Sequence, residues 1–163
     1  MRKIALSLLL IWVMTGCTNT TNIEKSISTV VAGEMLFSGP NSLQAPVTTS
    51  VSSLTAELSI KPSDLSHIEV SGIQISMTGE QATLAESLLL QIVSNNHEMT
   101  ALGSLSPLEN GPSFELNLAE ETDILPFIED EGATWVLDVN LSEDIMDEMK
   151  ATAELKLMIN YKN

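Results

Sequence analysis

The chain holds one cysteine, Cys17, in 163 residues, so no intramolecular disulfide can staple it. Seven basic residues stand against 22 acidic ones, a formal charge of −15. A surface so poor in Lys and Arg excludes nucleic acid and anionic lipid surfaces as partners, because both are bound through cations that displace counterions. Aromatic residues make up 4% of the chain, too few for the stacking platforms on which sugars and bases lie. No apolar run approaches the roughly 20 residues needed to span a bilayer. A glycine-rich phosphate loop, a dinucleotide fingerprint and a nucleophile elbow are all missing.

What the chain does have begins at its start. Arg2 and Lys3 precede an apolar stretch over 4–13, and Thr15 and Gly16 close it ahead of Cys17. A cationic start, a short apolar core and small closing residues make a secretory signal. The stretch Met14-Thr15-Gly16-Cys17 resembles the lipobox of bacterial lipoproteins, with Met14 where that family usually has leucine. The resemblance implies that Cys17 is the lipid-attachment residue, acylated and left as the first residue after cleavage. Several acyl chains hold a protein on a membrane nearly permanently, at about 0.8 kcal/mol per buried methylene. Thr18 follows the cysteine where an inner-membrane retention signal would be aspartate, so the resemblance implies the outer membrane, with the leaflet open.

Beyond the signal at 1–16, residues 17–28 read CTNTTNIEKSIS, polar and without periodicity, and are expected to form a flexible tether. Residues 29–163 are the length of one domain. Apolar residues there recur at every second position in short segments divided by Gly, Pro, Asn, Ser and acidic clusters, the pattern of half-buried strands. Val31, Gly33, Met35 and Phe37 form one such face. Leu54, Ala56, Leu58 and Ile60 form another, and Phe114, Leu116 and Leu118 a third. Trp135 to Leu141 and Ala151 to Tyr161 alternate most cleanly. Gly72 sits where the parity of the apolar face changes, which predicts a β-bulge. Glu80 to Glu86 reads as a short helix, and Thr122 to Pro126 as a capped turn. About eight strands at this spacing, with at most short helical turns, predict an all-β fold, an antiparallel β-sandwich.

Chemistry-bearing residues are few. His67 and His97 have no ligand at a recognised metal spacing, so no metal is expected. Glu129-Asp130-Glu131 and Glu143-Asp144 through Asp147-Glu148 are dense in carboxylate but lack the alternating ligands of a calcium loop, and read as solvated turns. Met146 and Met149 read as core packing. No cofactor and no catalytic residue is expected.

The segments Leu54-Thr55-Ala56-Glu57-Leu58, His67-Ile68-Glu69-Val70, Phe114-Glu115-Leu116 and Ala153-Glu154-Leu155-Lys156-Leu157 resemble a loose group of uncharacterised bacterial lipoproteins with an all-β sandwich. The expectation is a membrane-anchored envelope protein whose sandwich is a binding or structural module for a protein or glycan partner, through loops or an edge strand. The alternative is an envelope hydrolase or small-ligand carrier with a pocket between the sheets.

Overall fold

The computed structural model describes residues 20–109 and 111–162. The signal at 1–16 and Cys17 lie outside the described residues. Nine antiparallel strands and three short helices follow in chain order. They are β1 (Thr20–Gly33), β2 (Gly39–Pro46), α1 (Val51–Leu58), β3 (Leu65–Met77), α2 (Gly79–Leu84), β4 (Ala85–Val93), β5 (Thr100–Leu105), β6 (Ser113–Glu115), β7 (Asn117–Leu118), α3 (Leu125–Glu129), β8 (Thr134–Leu141) and β9 (Met149–Lys162). The fold class is the expected all-β sandwich.

The strand order is β6-β3-β9-β1-β2-β8-β4-β5-β7. It divides at the joint between β1 and β2, which pair only at Ala32 and Gln44. One layer is therefore β6-β3-β9-β1 and the other β2-β8-β4-β5-β7. The two terminal strands, β6 and β7, are separated in sequence by Leu116 alone, so the sandwich closes on itself along that side. Phe114 pairs with Ile75 of β3, Asn117 pairs with Ser104 of β5, and the Leu116 amide donates to the Ile73 carbonyl at 3.0 Å. A sandwich seamed in this way has one side without an edge and one side, at β1 and β2, where the layers part.

The core is built by alternation. Trp135, Leu137, Val139 and Leu141 of β8 and Ala151, Ala153, Leu155, Leu157 and Ile159 of β9 are all buried, as the period-2 pattern requires. Leu43, Leu90, Ile92, Ile68 and Ile75 meet them from the other strands. The space between the layers is filled by these side chains, which form one hydrophobic core. The bulge expected at Gly72 is present, as a register shift between Val70 and Gly72 against β9.

Four expectations are corrected. The apolar face expected over Val31, Gly33, Met35 and Phe37 stops with β1 at Gly33, and Met35 and Phe37 are exposed. The tether proposed for 17–28 is a strand from Thr20 onward, in register with β9 at every position from Thr20 opposite Lys162 to Gly33 opposite Met149. Its stability comes from the β9 backbone ladder, which needs no apolar side chains. The segment around 54–60 is not a strand. It is α1, started by a capping box in which Ser50 Oγ accepts from the Ser53 amide at 3.2 Å and Ser53 Oγ accepts from the Ser50 amide at 3.1 Å. Leu54 and Thr55 are the buried residues of the helix, and Ser59 ends it in the left-handed region with φ 57. Finally, Met146 is not core: Met149 is fully buried, whereas Met146 is exposed.

Candidate functional site

β1 defines the most distinctive surface of the molecule. In an antiparallel ladder, successive residues send their N–H and C=O groups alternately to one side and the other. β9 takes up one side of β1 along its whole length. The other side meets β2 only at Ala32. Among the described residues, no strand lies beside that second edge from Asn22 to Thr29. Its alternate backbone groups face outward from the seam where the layers part.

The side chains leave the edge accessible. Asn22, Glu24, Ser26, Ser28 and Val30 are exposed on one face, while Lys25, Ile27 and Thr29 are half-buried on the other. Lys25 pairs with Glu57 of α1, so the one cation of the strand is directed inward and drawn to the helix. Glu24 and Lys25 cancel, which makes β1 a locally neutral stripe on a chain of charge −15. Proteins usually blunt an open edge with lysine, proline or an inward-pointing charge, and Lys25 is the one such device on β1.

The two ends of the sandwich differ. Thr20, Lys162 and Leu65 lie at one end, together with α1 and α3; Gly33, Met149, α2 and the turns 34–38 and 142–148 lie at the other. Both histidines sit near the first end and serve α3. His67 Nδ1 lies 3.0 Å from Asp123 Oδ2, and Asp123 Oδ1 accepts from the amides of Ile68 and Leu125, each at 3.0 Å. At the other end of α3, His97 packs its ring 5.1 Å from Phe127, with Nε2 3.6 Å from Asp130. Hydrogen bonds from Ser94 (2.7 Å) and Asn96 (3.0 Å), with the nearby His97, hold the Asp130 carboxyl below the usual carboxylate range. Ser94 Oγ donates to Asp130 and accepts from the His97 amide at 3.2 Å. These contacts pin a loop.

Among the described residues, no three His, Cys, Asp or Glu side chains are grouped to hold a metal ion. A shallow cavity of 240 Å³ lies on the outer face beside the Gly72 bulge, lined by Ser26, Ser71, Gln74, Glu115, Glu154 and Lys156. The lipid-attachment residue expected from the sequence, Cys17, lies outside the described residues. The open edge of β1 was not legible from the sequence, since it depends on how far apart two consecutive strands run.

No family model and no curated protein matches the chain. Among solved structures it is similar to infectious bursal disease virus Gx strain, at 10% identity and a TM-score of 0.42, over 88% of this chain and 32% of that chain. It is similar to the Gt strain of the same virus at 11% identity and a TM-score of 0.40, over 98% and 38% of the two chains. Desmodium yellow mottle tymovirus matches at 11% identity and a TM-score of 0.35, over 100% and 94%. The chain spans about a third of the length of the two bursal disease virus chains it matches. Likenesses this distant carry no information on function.

Proposed function

We propose that this protein is a lipid-anchored envelope protein, held in the outer membrane through Cys17, whose sandwich binds a protein partner by adding the partner's extended strand to the open edge of β1. The observation that carries the reading is the unpaired second edge of β1 over Asn22–Thr29. An edge of free amides and carbonyls is recognised by another backbone, which supplies the same groups in register. A glycan has no such ladder. The glycan reading is further weakened by burial of Trp135, Phe114 and Phe127, which leaves Phe37 as the exposed large aromatic among the described residues.

The anchor and the edge belong together. Cys17 precedes Thr20 by three residues, a reach of about 10 Å at most. The lipid would therefore hold the end of the sandwich that carries Thr20 and Lys162 close to the head groups, with β1 rising from it for about 45 Å at 3.3 Å per residue. A partner strand paired there would run along the membrane normal.

The test is a photo-crosslinking residue at Ser26, beside the edge, compared with one at Glu154, on the same face but inside the layer. The edge position is expected to capture a discrete protein and the inner position is not; equal capture, or none, overturns the edge. The anchor is tested separately by Cys17→Ser, which is expected to abolish palmitate labelling and release the protein from the membrane fraction.

A further inference from the structure

The far end of the sandwich carries a second surface, made by two segments that no regular strand accounts for. Leu36 and Ile145 exchange a close pair of backbone hydrogen bonds, Leu36 N to Ile145 O at 2.9 Å and Ile145 N to Leu36 O at 2.8 Å. Both side chains are buried beneath that bridge. Antiparallel pairing then sets position 35 opposite 146 and position 37 opposite 144, on the outward face. Met35 is 66% exposed, Met146 64% and Phe37 61%, the three most exposed large apolar residues among those described.

Nothing in the folding of this ribbon calls for them. Leu36, Ile145 and Met149 already supply its inward contacts. Met35 moreover holds φ 51, in the left-handed region where an L side chain is disfavoured and glycine is at ease. A bulky apolar side chain is thus kept at a backbone position that suits it poorly and in solvent that suits it poorly. Methionine is the adaptable apolar residue of surfaces that accept another chain.

The rim defines what that chain must be. Glu34, Glu143, Asp144, Asp147 and Glu148 surround the patch, all exposed, against one cation, Lys150, whose Nζ lies 2.6 Å from Glu148. Apolar contact in the centre and carboxylates around it complement a segment of opposite charge. A second copy of this chain would bring an identical acidic rim, and anionic head groups would be repelled in the same way.

We propose that Met35, Phe37 and Met146 form a docking surface for a cationic, amphipathic segment of a partner protein. This deepens the binding-module reading in that the bound object is a protein, but it requires neither the anchor nor the edge of β1.

The test uses the full chain carrying Cys17→Ser and three synthetic peptides of equal length: alternating Lys/Leu, alternating Lys/Ser and alternating Glu/Leu. Methionine methyl resonances are followed by NMR, with Met99, 53% exposed at the opposite end, as the internal control. The Lys/Leu peptide is expected to shift Met35 and Met146 at concentrations that leave Met99 in place, and Lys/Ser and Glu/Leu are expected to do neither. Combined Met35→Ser, Phe37→Ser and Met146→Ser is expected to weaken Lys/Leu binding at least tenfold, while Met99→Ser leaves it unchanged. Met35→Gly is expected to raise the melting temperature and yet weaken binding. Parallel shifts of Met99 and Met35, undiminished binding by the triple variant, equal binding of Lys/Ser or Glu/Leu, or self-association through the patch would each overturn the proposal. Binding that moves only the β1 amides would overturn it while leaving the edge reading intact.

Discussion

Gly103 is the position at which closure of the sandwich can be tested quantitatively. It lies on β5 where that strand pairs with Leu118 of β7, at the crossing between the layers. A Cβ placed there would stand 2.9 Å from Ile73 Cδ1, 3.0 Å from the Asn117 carbonyl oxygen and 3.3 Å from Leu116 Cβ. The first contact is with the end of a flexible side chain and yields easily. The second is with backbone that is itself held in a ladder, so Gly103→Ala must push the seam apart by several tenths of an ångström. Overpacking of this kind costs about 1–3 kcal/mol. Loss of glycine's freedom in the unfolded chain offsets about 0.4–1 kcal/mol of it. The net expectation is destabilisation by roughly 1–2 kcal/mol, with a melting temperature lower by about 3–6 °C for a domain of this size. Chemical denaturation monitored by Trp135 fluorescence measures the first and calorimetry the second. A variant as stable as the parent, or more so, would refute the claim that β5, β7 and β3 converge tightly at this residue.

Two further outcomes follow from single contacts. Ser50→Ala removes the acceptor that caps α1 and is expected to cost about 1 kcal/mol in denaturant titrations, which distinguishes the helix from the strand expected there. Asp130 is held below the usual carboxylate range by Ser94 and Asn96. A depressed carboxyl contributes stability that is present above its unfolded value, near pH 4, and lost as pH falls through the folded one. Ser94→Ala is therefore expected to raise the Asp130 titration midpoint seen by carboxyl NMR and to flatten the loss of stability below about pH 4; an unmoved midpoint would contradict it.

Strands whose one face lies in the core could be read directly. Trp135 to Leu141 and Ala151 to Ile159 announce themselves because burial selects every second side chain. β1 could not be read so, because its leading half places Lys25 and Ile23 at inward positions over a thin margin of the core, where Ile23 remains 37% exposed. The strand exists by virtue of β9, and backbone pairing leaves no mark on side-chain pattern. The segment 51–58 misled for a different reason. Leu54, Ala56 and Leu58 alternate by composition, while the deciding signal was Ser50 three residues before Ser53. Phe114, Leu116 and Leu118 also alternate, yet the chain crosses between layers at Leu116, with Phe114 and Leu116 buried and Leu118 exposed. The apolar surface at Met35, Phe37 and Met146 was hidden because the bridge between Leu36 and Ile145 joins residues far apart in sequence.

The most direct test of the account is amide hydrogen exchange across Asn22–Thr29, measured on the purified chain and again on the protein in its native membrane. In the purified chain, alternate amides are expected to exchange rapidly while those between, bonded to β9, are protected. In the membrane the rapid set is expected to become protected, as a partner strand takes up the free edge. Uniform protection of these residues in the purified chain would show that the edge is already covered and would contradict the account.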